Sequence, residues 1–223
     1  MGPLTVGQGA RALLIEELTA DLDHALRSLE GLGPTIGVFG SARIAEGHRV
    51  FALAEACGRA LSAAGYNVVT GAGPGLMEAV NRGAKHGPGC SIGLHAQRIR
   101  EPSVGHHELH LSFRHLATRK IVFERISSAF VMLPGGYGTL DELSEFMMLM
   151  QTGRAASRPL ILIERVFWHG LHTWIDRHLR AAGLIDNADL ELWRFADSAD
   201  ELLSVLEDHS KQASSAPRRI AEA

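Results

Sequence analysis

Residues 129–142 read Ala-Phe-Val-Met-Leu-Pro-Gly-Gly-Tyr-Gly-Thr-Leu-Asp-Glu. The first five are apolar, partly β-branched or aromatic, and read as a buried strand. After the break, Leu140, Leu143, Phe146, Met147 and Met150 recur at helical spacing. The segment is therefore strand, glycine turn, helix. Gly135, Gly136 and Gly138 let the backbone bend sharply and approach a ligand. The helix start offers unpaired N–H groups and the positive end of the dipole, which suits phosphate. Thr139 adds a hydroxyl, and Glu142, three residues on, shares its helix face. That carboxylate is poorly placed to hold a phosphate and well placed to act on what the phosphate carries. A bare structural turn, with Glu142 only complementing the dipole, accounts for one such motif equally well.

Working outward, the turn acquires company. An amphipathic helix is expected through Leu14, Leu18, Leu22, Ala25 and Leu29, stopped by Gly31–Pro34. Strands follow at 35–39, 66–70, 91–94, 107–111, 129–133 and 159–163, with an edge strand at 190–195. Helices are expected at 50–61, from Leu76, at 116–126, from Leu140, through Trp168–Leu179 and at 200–206, with a loop at 101–105. Strands alternating with helices, on near-continuous apolar runs, predict a Rossmann-like α/β fold: a doubly wound, mainly parallel sheet flanked by helices. Ligands of such sheets sit beyond the carboxyl ends of the strands. Three glycine-bearing turns fall on that edge, at Gly40–Arg43, Gly71–Gly75 and Gly135–Thr139. Three on one rim imply a shared, nucleotide-sized site. The expected organisation is an N-terminal helical extension (1–34), one catalytic domain (35–208) and a polar, disordered tail (209–223).

Composition narrows the function classes. A chain of 223 residues can bury a sizeable core. The formal charge of −3 is no match for nucleic acid, so none is expected as a partner. Cys57 and Cys90 form no CxxC and suggest no disulfide framework. No signal-peptide pattern and no membrane-length apolar run is visible, so a cytoplasmic protein without membrane attachment is expected. Lysine is confined to Lys85, Lys120 and Lys211, which limits Schiff-base chemistry.

Three tempting motifs fail. Gly71-Ala-Gly73 opens like a dinucleotide fingerprint, but position 76 is Leu and no acidic residue ends a strand some 20 residues later. No GxxxxGK[ST] occurs. His106-His-Glu-Leu-His110 lacks the spacing of HExxH, and a solvated strand edge explains it better than a metal. Neither a metal nor a cofactor is expected.

Arg119-Lys120 stands 23 residues before the end of the central motif at Glu142. With both in view, the chain resembles the LOG ("lonely guy") family of cytokinin riboside 5′-monophosphate phosphoribohydrolases, often mislabelled lysine decarboxylases. The family's PGGxGTxxE matches Pro134–Glu142 throughout, and the resemblance runs from about Thr35 to Leu206 through Gly71–Gly83. It implies a dimer or larger homo-oligomer that splits a nucleoside 5′-monophosphate, AMP or an N6-modified AMP, into free base and ribose 5-phosphate. By motif position, Arg119 and Glu142 are the catalytic pair. Gly135, Gly136, Gly138 and Thr139 hold the phosphate. Ser41, Gly73, Gly75, Met77, Glu78 and Lys120 line the nucleotide pocket. Two departures stand out: Ala72 where many relatives carry Gly, which should be tolerated, and the segment Leu94–His107, which differs where the base is expected.

The chemistry is coherent. N-glycoside cleavage passes through an oxocarbenium-like ribose, which a carboxylate can stabilise. Arg119 can assist the departing base electrostatically but cannot readily give up its proton. Two alternatives remain: a general AMP or nucleoside 5′-monophosphate nucleosidase in salvage, and a non-catalytic carrier of nucleotide or molybdenum cofactor. Lysine decarboxylation through pyridoxal phosphate would need Lys120, which sits beside an arginine.

Overall fold

The computed structural model describes residues 7–97 and 103–215, with side chains through Lys211. The strands are β1 (Thr35–Phe39), β2 (Asn67–Thr70), β3 (Ser91–Ala96), β4 (Leu109–Phe113), β5 (Ser127–Met132), β6 (Leu160–Ile163) and β7 (Arg194–Ala196). They form one sheet in the order β4-β3-β2-β1-β5-β6-β7. Each neighbouring pair is parallel. The chain starts at the centre, winds outward through β2, β3 and β4, then returns to β5 on the other side of β1. This reversal leaves a crevice between β1 and β5, and both strands end in glycine turns there.

Helices cover both faces: α1 (Gln8–Ser28), α2 (Arg49–Ala63), α3 (Leu76–Ala84), α4 (Leu116–Ile126), α5 (Tyr137–Gln151), α6 (Arg165–Trp174) and α7 (Ala199–Ser215). On one face Leu61, Leu76 and Val80 of α2 and α3, with Leu202 of α7, pack on Ile36, Val68, Val131 and Ile161. On the other, Phe123, Phe146 and Trp168 of α4, α5 and α6 pack on Phe39, Val69, Phe130 and Leu162. Full burial of such side chains contributes about 1.5–3 kcal/mol each. The inner strands β1, β2 and β6 are buried along their whole length because both faces are covered, whereas the edge strand β4 alternates buried and exposed residues.

The element types follow the sequence reading, and the departures lie at ends. Leu190 and Leu192 alternate as a strand would, yet Asp186 and Asp189 cap one another reciprocally and start a short 3₁₀ helix over Asn187–Glu191. Only Arg194–Ala196 remains to pair with β6. The helix expected through Leu179 is α-helical to Trp174 and continues as a π-helical turn over Ile175–Arg180. The last helix runs past Leu206 to Ser215, taking in part of the expected tail, and 216–223 lie outside the described residues. The N-terminal helix forms, but its one-sided packing is partial. Asp21 and Ala25 are buried on the body of the protein, whereas Leu13, Leu14 and Ile15 stay exposed. Among the described residues no helix is long and apolar enough to cross a membrane.

Candidate active site

The three glycine turns meet. The Ser41 N–H donates to Pro134 O at 3.0 Å, and the Leu76 N–H donates to Ser41 O at 2.9 Å, so Ser41 stitches the first turn to the other two. Gly75 sits at φ +71°, in the left-handed region, and a Cβ there would lie 2.5 Å from Ser41 O. Only glycine meets both demands. Ala72 also adopts a positive φ of 58°, so alanine is accommodated where the sequence reading expected tolerance. Its N–H donates to Thr70 Oγ1 at 3.1 Å. Beneath the turn, buried Asn81 donates to Ser91 Oγ at 2.9 Å and Ile92 O at 3.2 Å, locking α3, and with it Met77 and Glu78, onto the sheet.

A cavity of about 610 Å³ opens over this junction. Of the residues expected at the site, Ser41, Gly73, Met77, Arg119, Gly136, Gly138, Thr139 and Glu142 all line it. Gly75 and Glu78 instead line a smaller neighbouring cavity of about 190 Å³, which shares Ala42 and Arg43 with the first. Gly135 and Lys120 line neither. Gly135 stands behind the turn, where a Cβ would lie 2.0 Å from Thr139 Oγ1. Lys120 turns along α5 to Asp141 (2.9 Å) and Glu145 (2.8 Å). Burial would lower its ammonium pKa, but these carboxylates outweigh that and hold it above the usual lysine range.

Helix α5 starts at Tyr137 with no side-chain cap and no acidic residue in its first turn. Its leading N–H groups, at the cavity wall, are therefore left without a side-chain cap. One turn on, Glu142 is 3% exposed. Its Oε2 has no hydrogen-bond partner among the described residues. Burial drives this carboxyl from its ordinary 4.5 up to about 7, against the opposing pull of Lys120 and Arg119. Arg119 comes from α4 on the other side of the cavity. Its Nη1 reaches Leu94 O at 3.5 Å, and its guanidinium lies over the Phe123 ring at 5.9 Å. The site thus pairs an open anion cradle with a near-neutral buried carboxyl and a fixed cation.

Similar proteins place the chain in a family. Residues 77–206 match the family model described as "Possible lysine decarboxylase". The chain is 30% identical over 185 residues to a probable cytokinin riboside 5′-monophosphate phosphoribohydrolase of Oryza sativa subsp. japonica, covering 79% of this chain and 78% of that one. The chain belongs to the LOG family. A Mycobacterium marinum LOG relative, named cytokinin riboside 5′-monophosphate phosphoribohydrolase, is 29% identical over 154 residues, covering 68% of this chain and 82% of its own length. Among solved structures, a molybdenum cofactor binding protein from Rippkaea orientalis aligns with a TM-score of 0.61 at 18% identity, over 81% of this chain and 99% of that one. The molybdenum cofactor carrier protein of Chlamydomonas reinhardtii aligns with a TM-score of 0.58 at 20% identity, over 80% and 98%. At those identities the two structures share the LOG fold and no more.

Sequence reasoning missed two polar wall residues, Arg43 and His95. The first lay in a turn already singled out. The second lay in the segment where the chain departs from its relatives, of which 98–102 fall outside the described residues. Among the described residues no group of three or more His, Cys, Asp or Glu is placed to hold a metal ion. His106 faces Glu78 at 3.6 Å, and the His107 and His110 rings stack at 4.6 Å.

Proposed function

We propose that this protein hydrolyses the N-glycosidic bond of nucleoside 5′-monophosphates, giving free base and ribose 5-phosphate. The observation that carries the reading is Glu142: a buried carboxyl with an oxygen unpaired among the described residues, one helical turn from the uncapped start of α5 and in one cavity with Arg119. A pure binder has little use for such a group.

In this reading the 5′-phosphate takes the N–H groups at Gly136–Thr139, and that remote anchor holds the ribose over Glu142. The bond from the anomeric carbon to the base nitrogen breaks, and the base leaves with the electron pair. Ionised Glu142 faces the positive charge that develops on the ribose and orients the attacking water. Water adds its oxygen to the anomeric carbon, and its released proton ends on the departing base. Arg119 stabilises the negative charge on that base without giving up a proton. Lys120 helps keep Glu142 ionisable through its charge.

Lysine decarboxylation through pyridoxal phosphate does not fit. No lysine lines the cavity, and Lys120 is held protonated by two carboxylates rather than free to form a Schiff base. The same reading implies a homodimer or larger assembly. It is supported by Ile121 of α4 and Met148 of α5, exposed at 46% and 45% on the two helices that carry Arg119 and Glu142. Sedimentation velocity checks it, with a monomer as the contrary result.

The deciding experiment incubates the protein with AMP and with N6-isopentenyl-AMP and quantifies free base and ribose 5-phosphate, with Glu142→Gln as control. Release that the variant abolishes supports the hydrolase. Tight nucleotide binding without release would turn the reading into a carrier.

A further inference from the structure

The cavity wall farthest from the glycine cradle carries a histidine, and its position follows from the sheet. Val38 pairs with Val131, Gly37 with Val69, and Thr70 with Gly93. Continued one residue, these registers set Val131, Val38, Thr70 and Gly93 in one row. His95, two residues beyond Gly93, is therefore level with Leu133, at the foot of the Pro134–Thr139 turn. The order β3-β2-β1-β5 puts three strand spacings between them, or about 14 Å at the usual spacing. That is roughly the length of an extended nucleoside monophosphate. With the phosphate on the start of α5, the base ends beside β3.

Within β3, Leu94 and Ala96 are buried, while His95 is half-exposed and lines the cavity. The backbone next to it is the carbonyl that Arg119 reaches. The His110 ring centroid lies 6.0 Å from it at 30°, and His107 stacks on His110 at 4.6 Å and 21°. His95 makes no hydrogen bond with the described residues. Burial, then the charges of His110 and Arg119, push its pKa below the ordinary histidine value, which favours the neutral ring. A neutral imidazole offers one donor and one acceptor. The two nitrogens diverge, so the ring meets one atom of the base edge, and its acceptor nitrogen suits an N–H of the exocyclic amino group of adenine. It offers nothing to an alkyl chain in the same place, which would desolvate the ring without a partner.

We propose that His95 reads the exocyclic edge of the base, so that the preferred substrates are purine 5′-monophosphates with an unsubstituted amino group rather than N6-alkylated ones. The proposal rests on the nucleotide-site reading above, but it concerns recognition and can fail separately from hydrolysis.

The test compares wild type, His95→Leu and His95→Gln with AMP and N6-isopentenyl-AMP, by kcat/KM and by calorimetric Kd. Wild type is expected to favour AMP. His95→Leu is expected to lower the AMP to N6-isopentenyl-AMP ratio by about tenfold or more, the scale of one neutral hydrogen bond, while His95→Gln keeps part of it. Affinity for ribose 5-phosphate, which does not reach His95, should be the same in all three and shows that the cradle is folded. A ratio unchanged in His95→Leu overturns the proposal, as does a wild-type preference for the alkylated nucleotide. If wild type released no base from either nucleotide, the hydrolase reading would fall, and the Kd ratio would still decide this one.

Discussion

Asp21 in α1 accepts a hydrogen bond from the Thr118 hydroxyl in α4 at 3.0 Å. The same carboxylate oxygen takes the backbone N–H groups of Arg114 and His115, at 2.9 and 3.2 Å. Helix α4 has no side-chain cap from His115, and Asp21 instead anchors its start from outside, holding the two residues that lead into it and the Thr118 hydroxyl of its first turn. Glu17 adds a 2.9 Å contact to His115. The helix so anchored is the one that presents Arg119.

Asp21→Ala should therefore destabilise the protein by about 2 kcal/mol, the scale of lost buried hydrogen bonds to a charged group. It should also lower kcat several-fold, because Arg119 sits one residue beyond Thr118. Asp21→Asn, which keeps an acceptor, should restore most of both. Thermal unfolding and single-turnover rates check this. Wild-type stability in Asp21→Ala would show that α1 merely lies against the sheet.

Glu142 sets function against stability. Its carboxyl titrates at about 7 in the folded protein, against 4.5 ordinarily. Between those values the native state holds a proton that the unfolded chain has released, so stability falls as pH rises through this window. Above pH 7 the full cost is present, on the order of 3 kcal/mol for a shift of this size. Glu142→Gln should thus melt several degrees higher than wild type at pH 8 and lose most of that advantage near pH 5. It should also lose about 10²–10⁴-fold in kcat. Wild-type kcat/KM should climb up to about pH 7 and level off above it. A melting advantage that did not depend on pH would contradict the buried-carboxyl account.

The middle of the sheet was legible because β1, β2 and β6 are short apolar runs buried on both faces, which leaves no alternation to mislead. The edge was less so. Leu190 and Leu192 mimic strand spacing, and only the Asp186–Asp189 cap reveals the 3₁₀ turn. The Pro134–Glu142 motif could be read because its spacing is local to one turn and one helix. Arg43 and His95 could not be assigned roles in the same way, since their place depends on which strands lie side by side, and strand order is not written in periodicity. Lys120 illustrates the reverse. Its adjacency to Arg119 suggested a pocket residue, but on a helix neighbouring residues diverge by about 100°, so it points to Asp141 and Glu145 instead.

The glycines of the central turn divide by function. A Cβ at Gly135 would collide with Thr139 Oγ1 at 2.0 Å and its Cβ at 2.6 Å, and Thr139 is buried and β-branched, so it cannot step aside. A Cβ at Gly136 meets nothing within 4 Å. Gly135→Ala should cost about 2 kcal/mol or more by overpacking. Gly136→Ala should leave stability within about 0.5 kcal/mol and act instead on phosphate affinity. Chemical denaturation alongside ribose 5-phosphate titration separates the two effects. Equal destabilisation by both would mean that the turn is purely structural.

Arg43 lines both the large and the small cavity and forms no ion pair among the described residues. Its backbone N–H donates to Ser41 Oγ at 3.1 Å, so the residue is fixed next to the stitch between Ser41 and Pro134. A guanidinium there adds charge to a cradle that otherwise relies on backbone N–H groups. Because Arg43 is exposed, its attraction for phosphate is screened by salt. Arg43→Ala should raise KM for nucleoside monophosphates about fivefold to tenfold at low ionic strength, with kcat nearly unchanged, and the difference from wild type should shrink at high salt. That pattern is expected of a group binding ground and transition state alike. A fall in kcat at constant KM would instead place Arg43 against the bond being broken, and the division of labour between cradle and catalytic pair would have to be redrawn.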